Sequence, residues 1–175
     1  MNHLRLPDDC VRVRIEIVED QTAIRAINEA AFGGQDEAVL VERLRDEGHA
    51  LISLIAEVDA GIVGHIMFSR MWIQTPTALL PAVALAPIAV LPEYQRRGIG
   101  GCLIRHGLDL LRGRGEKIVI VFGHPDYYPR FGFSTDKARR LSSPFPADAF
   151  MAMELSAGAL DEIEGPVVYP PAFGI

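Results

Sequence analysis

The sequence predicts an α/β fold: one mixed, mostly antiparallel central sheet flanked by helices, with a bulged or splayed strand near Pro87. Three observations predict it. Stretches that alternate apolar and polar residues are interspersed with stretches whose apolar residues recur at helical spacing. The 175 residues suit a single domain with a sizeable core, and no linker, repeat or low-complexity segment divides them. A long apolar strand carries two prolines, which a sheet accepts at an edge, a bulge or a place where strands part.

Taken in order, "VRVRIEI" (11–17) alternates as a strand with one wet face. Ile24, Ile27 and Ala31, then Val39, Leu40 and Leu44, mark two helices, separated by Gly33-Gly34 and ended by Gly48. "LISLIAEV" and "IVGHIMFS" flank "DAG", a hairpin signal. The proline-bearing strand follows over 79–90, with Pro81 and Pro87. A glycine-rich helix, the β-branched strand "KIVIVFG", a short turn or helix at "HPDYYPRFGF" and a late strand over 149–155 complete the order. The proline-rich tail "EGPVVYPPAFGI" is expected to pack along the surface.

Composition narrows the function. Apolar residues make up 49% and charged residues 23%, an ordinary globular balance. A net charge of -6 argues against nucleic acid, whose binding needs a basic field. Cys10 and Cys102 form no CxxC and join no histidine cluster, so neither a disulfide framework nor a metal site is expected. "MNHLRLPDDC" has no secretory pattern, and the greasiest run, "LLPAVALAPIAVLP", is too short to span a bilayer. No membrane association is expected, and the expected compartment is the cytoplasm.

"PEYQRRGIGGCLIRHGLDLL" raises the functional question. Gly98, Gly100, Gly101 and Gly107 sit at or near the start of a helix, where each glycine costs about 1 kcal/mol relative to alanine. Arg96 and Arg97 add positive charge at the end that is already positive. A bound phosphate resolves both anomalies, because bare amides and arginines at a helix N-terminus bind anions. A tight turn with solvated arginines is the plain alternative. The spacing matches neither the dinucleotide G-x-G-x-x-G nor a Walker loop.

Gln95-Arg96-Arg97-Gly98-Ile99-Gly100, after the strand end "IAVLPEY" and before "YPRFGF", resembles the GNAT (general-control-type N-acetyltransferase) superfamily and its Q/R-x-x-G-x-G/A signature. "LAPIAVLPEYQRRGIG" with "HPDYYPRFGF" is most similar to that superfamily's YhbS-type group. The likeness covers residues 11 to 135 well and the rest only loosely.

The resemblance implies one acetyltransferase domain over residues 1–175, its cofactor core about 79–133, with 134–175 shaping the acceptor side. It implies direct acetyl transfer from acetyl-CoA, as co-substrate, to a primary amine of a small molecule or peptide. Residues Gln95, Arg96, Arg97, Gly98, Ile99, Gly100 and Gly101 would hold the pyrophosphate. Ile88, Ala89 and Val90 would pair with the pantetheine amides and polarise the thioester. Tyr128 takes the tyrosine position of Y-x-x-x-G-F, ahead of Gly132-Phe133, as cofactor contact and general acid, with Tyr127 the neighbour if the register slips. His65 is the first candidate for the base and Glu57, through a water, the second; Glu93, His124 and Asp126 also flank the cofactor elements. "VFGHPDYY" lacks the asparagine that many relatives carry ahead of the tyrosine. A non-catalytic acyl-CoA-binding or regulatory domain is the alternative, then a plain nucleotide-binding module. The late strand or the tail leaves room for a homodimer.

Overall fold

The structure is a computed structural model describing residues 11–175, so Cys10 and the N-terminal ten residues lie outside it. The described residues form two compact units, one built from those up to Phe68 plus Pro87–Gly107, the other from Ser69–Ala86 plus Leu108–Ile175.

The first unit holds β1 (Arg12–Ile15), α1 (Gln21–Phe32), α2 (Asp36–Asp46) and β2 (Ala50–Val58). It also holds the first part of β3 (Gly61–Gln74), the end of β4 (Leu79–Val90) and the start of α3 (Ile99–Gly113). Hydrogen-bonded neighbours run β1-β2-β3-β4. β1 lies antiparallel to β2 from Arg12↔Glu57 to Ile15↔Leu54. Asp59 and Ala60, both at positive φ, close the β2–β3 hairpin in the mirror-image turn whose twist matches that of the strands. The α1 stripe buries Ile24 and Ile27 as expected. The α2 stripe is rotated from expectation: Ala38, Val41 and Leu44 are buried, while Val39 is 39% exposed.

Glycine sets how closely α3 approaches the sheet. A Cβ on Gly64 of β3 would meet Ile99 Cγ2 and Leu103 Cδ1 at 3.2 Å. A Cβ on Gly107 would fall 2.1 Å from the Phe68 ring, which is wholly buried. Gly107 therefore serves the packing of α3 on the sheet.

The second unit contains the remainder of β3, β4 and α3, then β5 (Ile118–Phe122), α4 (Thr135–Ala138), β6 (Leu141–Ser142), β7 (Phe150–Glu154) and β8 (Gly165–Val168). β5 pairs antiparallel with β7 over five residues but parallel with β4 only at Val83↔Val119 and Ala84↔Ile120. That ladder stops short of Pro87, as expected of a splayed strand. Met71, Ile73, Ala84, Ile120, Phe150 and Leu160 belong to its buried core. Arg70 Nη1 and Nη2 donate to Glu116 at 2.9 and 2.5 Å, tying β3 to the segment before β5.

The tail departs from expectation. It supplies β8, antiparallel to β3 at Trp72↔Val168 and parallel to β6 at Leu141↔Gly165. Val167 is buried there. The late strand β7 and the tail are thus both used inside the chain. Gly107→Ala should lower stability by about 1–2 kcal/mol in urea denaturation, because overpacking against Phe68 outweighs a helix-propensity gain of about 1 kcal/mol. An unchanged or raised midpoint would show that the ring yields.

Candidate functional site

In the first unit, β4 ends at Val90 and a 3-10 turn, Pro92–Tyr94, leads to the glycine-rich segment. Leu91 N–H donates to Val63 O at 2.9 Å, fixing the segment's start to β3. The Gln95 side chain folds back, Nε2 donating to Val90 O at 3.0 Å. It braces the turn from within. Arg97 stacks over the Tyr94 ring at 5.3 Å, and Arg96 is exposed.

Arg96 (φ 62) and Gly98 (φ 92) both lie in the left-handed region, while Arg97 between them does not. A residue with a side chain is held there only against strain, and alternating hand is the arrangement that gathers successive N–H groups into an anion-binding concavity. Gly98 O accepts from Cys102 N at 3.1 Å, the first bond of α3. The N–H groups of Ile99, Gly100 and Gly101 precede that bond and have no main-chain acceptor among the described residues. Ile88 and Val90 are half-buried and Ala89 is 2% exposed.

Tyr128 belongs to the second unit and opens a 3-10 turn, Tyr128–Phe131. Its ring lies over the end of β5, so close that a Cβ on Gly123 would come within 2.3 Å of it. Tyr127 and Phe133 meet it edge-on at 5.3 and 5.8 Å. Burial pushes the phenol's pKa up to about 12, with Tyr127 adding to it. At neutral pH the hydroxyl therefore keeps its proton. His124 and Asp126 are exposed near it in the chain, and Glu93 is exposed in the first unit.

His65 is not placed to take a proton from an acceptor. The ring is wholly buried in a polar chain that the sequence did not reveal. Arg45 Nε and Nη2 donate to Glu16, both at 2.7 Å. Ser53 Oγ donates to Glu16 at 2.5 Å. The hydroxyl therefore accepts the Nε2–H of His65 at 2.9 Å. Nδ1 accepts from the Asn28 amide at 3.2 Å, and Asn28 also donates to Ile24 O at 2.9 Å. Both ring nitrogens are occupied in the neutral form. Burial, reinforced by the charge of Arg45, drops the imidazole pKa to about 3. A lone polar residue on the apolar stripe of α1, Asn28, is the one sequence signal that pointed to this chain.

Glu57 is exposed enough to meet solvent but is held by arginine. Arg14 Nε and Nη2 donate to its Oε1 at 3.1 and 2.9 Å, and Arg12 approaches Oε2 at 3.8 Å. Arg14 also forks onto Asp20 at 2.6 and 3.0 Å, holding that carboxyl below its usual range.

The buried imidazole has a consequence for stability. Above pH 6.5 both folded and unfolded chains keep His65 neutral. Between 6.5 and about 3 only the unfolded chain takes up the proton, so stability falls by about 1.4 kcal/mol per pH unit. Asp20 and Glu154, both lowered, act the same way but only near and below about pH 4. The urea midpoint should fall between pH 6.5 and 5, and His65→Gln should flatten that slope. Equal slopes would assign it to another group.

Comparison with known proteins places the chain. Residues 15–135 match the family model of the acetyltransferase (GNAT) domain. The uncharacterised N-acetyltransferase YjhQ of Escherichia coli K12 is 40% identical over 134 residues, covering 74% of each chain. The uncharacterised N-acetyltransferase YhbS of the same strain is 34% identical over 164 residues, 92% of this chain and 97% of that one. The crystal structure of Escherichia coli YhbS in complex with CoA superposes with a TM-score of 0.88 at 32% identity, over 99% of this chain and 97% of that one. A GNAT family acetyltransferase from Brucella melitensis in complex with acetyl-CoA gives 0.78 at 35% identity, over 93% and 97%. Among the described residues, no helix is long and apolar enough to cross a membrane. The chain belongs to the GNAT acetyltransferase family.

Proposed function

We propose that the protein transfers the acetyl group of acetyl-CoA to a primary amine of a small molecule or peptide in the cytoplasm, the whole chain acting as one acetyltransferase domain. The observation that carries this reading is the turn before α3, with Arg96 and Gly98 at positive φ and three helix-start N–H groups lacking main-chain acceptors. The CoA and acetyl-CoA complexes of the YhbS and Brucella relatives support it.

In this reading the amides of residues 96–101, with the arginine charge, hold the pyrophosphate, while Gln95 braces the turn. The main chain of Ile88, Ala89 and Val90, unpaired with β5, takes the pantetheine amides. One of those N–H groups stabilises the oxyanion as the amine nitrogen attacks the thioester carbonyl. The C–S bond breaks and the thiolate leaves against the Tyr128 hydroxyl. The acceptor ammonium loses its proton to Glu57 through a water, since His65 is enclosed. Residues 134–175 shape the acceptor side.

Acetyl-CoA at a hundred times its Kd should stabilise the protein by about 2.7 kcal/mol, raising Tm where NAD and ATP do not. Gly98→Glu should abolish the ligand increment, because φ 92 disfavours any side chain and the carboxylate repels the diphosphate. No increment in the parent chain would remove the reading. Tyr128→Phe should keep that increment and slow thiol release on the order of a hundredfold. Glu57→Gln should lower kcat on the order of a hundredfold, and unchanged kinetics in either variant would discard that residue's role. An acetyl-CoA increment without thiol release from any amine in a broad panel would indicate a non-catalytic acyl-CoA-binding domain.

A further inference from the structure

Gly123 has no conformational reason to be glycine. Its backbone lies outside the left-handed region that holds Gly98 and Gly132. Its N–H donates to Ala149 O at 3.0 Å, carrying the β5–β7 ladder one step past Phe122↔Phe150. Any L-residue can adopt such a conformation. Space is what excludes a side chain. A Cβ on Gly123 would fall 2.3 Å from Tyr128 Cε2, 3.1 Å from Cδ2 and 3.2 Å from Cζ, and these are its three nearest atoms. Cζ carries the hydroxyl and Cε2 adjoins it. The bare Cα thus touches the polar end of the ring.

The ring is held on its other sides. Tyr127 and Tyr128 N–H both donate to His124 O, at 3.1 and 3.4 Å, closing the loop that brings the ring back over Gly123. Tyr127 and Phe133 flank it edge-on. Phe133 is itself fixed by the next residue, because Ser134 and Ala152 exchange two main-chain hydrogen bonds at 3.0 Å. A methyl group on Gly123 would have to push the buried ring by about 1 Å, from 2.3 Å to an ordinary contact of at least 3.4 Å.

Building on the acetyltransferase reading, in which the Tyr128 hydroxyl meets the departing thiolate, we propose that Gly123 is the positioning residue of that hydroxyl. Its missing side chain lets the ring lie on the end of β5 and so sets where the oxygen stands. A hydrogen bond weakens steeply with distance and angle, and a displacement of about 1 Å at a reacting group costs on the order of a hundredfold in rate. Phenylalanine at position 128 would meet Gly123 in the same way but has no hydroxyl to place. Packing is therefore felt by either ring, and positioning by tyrosine alone.

The test is a double-variant cycle of Gly123→Ala and Tyr128→Phe, read by thiol release from acetyl-CoA. Alaninamide, phenethylamine, n-hexylamine and putrescine serve as acceptor probes, and the one the parent uses best is carried through. Gly123→Ala should lower kcat at least about tenfold in the parent but less than about twofold in the Tyr128→Phe background. Its cost in Tm should be the same in both. The KM for acetyl-CoA should stay within about threefold, since the displaced group acts on the leaving thiolate. Equal kcat losses in the two backgrounds would make Gly123 a packing residue and overturn the proposal, as would an unchanged kcat in Gly123→Ala. If that variant melts too low for kinetics, the Tyr128→Ala background gives a second reading. There the added methyl should cost less Tm than in the parent, and an undiminished cost would overturn the proposal. Parent-like turnover in Tyr128→Phe, or no thiol release from the parent, would show instead that the reading beneath it had failed, and the proposal would fall with it.

Discussion

The close approach of α3 to the strands beneath it is the constraint on which the proposed cofactor site depends. Gly64 on β3 and Gly107 on α3 remove side chains from opposite partners of one contact, so Ile99 and Leu103 settle against the strand and Phe68 lies under the helix. Ile99 and Leu103 are 1% exposed or less. A helix seated this firmly has a fixed first turn, and the direction of its unpaired N–H groups follows from its axis. Leu91, bonded to Val63 O, fixes the other end of the connecting segment. The turn is therefore anchored at both ends within one unit. The strain at Arg96 is sustained by that anchoring rather than relaxed into a looser loop.

Such a site is made largely of main chain, which explains why substrate identity is written elsewhere. Backbone amides bind a diphosphate whatever is attached to it, so the turn says nothing of the acceptor. The interior polar chain through Glu16, Ser53, His65 and Asn28 is also silent on chemistry. It joins α1, β2, β3 and the segment after β1 by hydrogen bonds with one consistent donor direction. A buried network of that kind favours a single arrangement of its elements, because any slip leaves several groups unpaired. Asn28 Oδ1 already lacks a partner among the described residues.

Much of this was legible in the amino-acid sequence, and the parts that were not share a physical cause. Periodicity located β1, both early helices, the hairpin and the proline-bearing strand, because each buries a face that local spacing reports. Glycine spacing located the turn, because only a few conformations need glycine there. The packing role of Gly107 was hidden because a packing glycine and a turn glycine look alike until the opposite side chain, Phe68, is known. The enclosure of His65 was hidden for the same reason. Its enclosure depends on Ser53, twelve residues earlier, and Asn28, thirty-seven residues earlier. The pairing of β8 with β3 joins residues nearly a hundred positions apart, and its prolines mimic a loop.

The acidity of Tyr128 bears on how the proposed reaction ends. A phenol of pKa about 10 facing a thiol of about 8.5 needs only modest help to deliver its proton. Burial, which holds Tyr128 at about 12, makes complete transfer of the phenol proton harder. The same burial strengthens a hydrogen bond donated to an anion, because no water competes for it. A hydroxyl that lends its hydrogen to the departing sulfur, and keeps it, stabilises the thiolate without bearing that cost. The acceptor's own proton, lost as the amine attacks, then balances the released thiol through solvent. On this account Tyr128 acts by holding charge rather than by exchanging it.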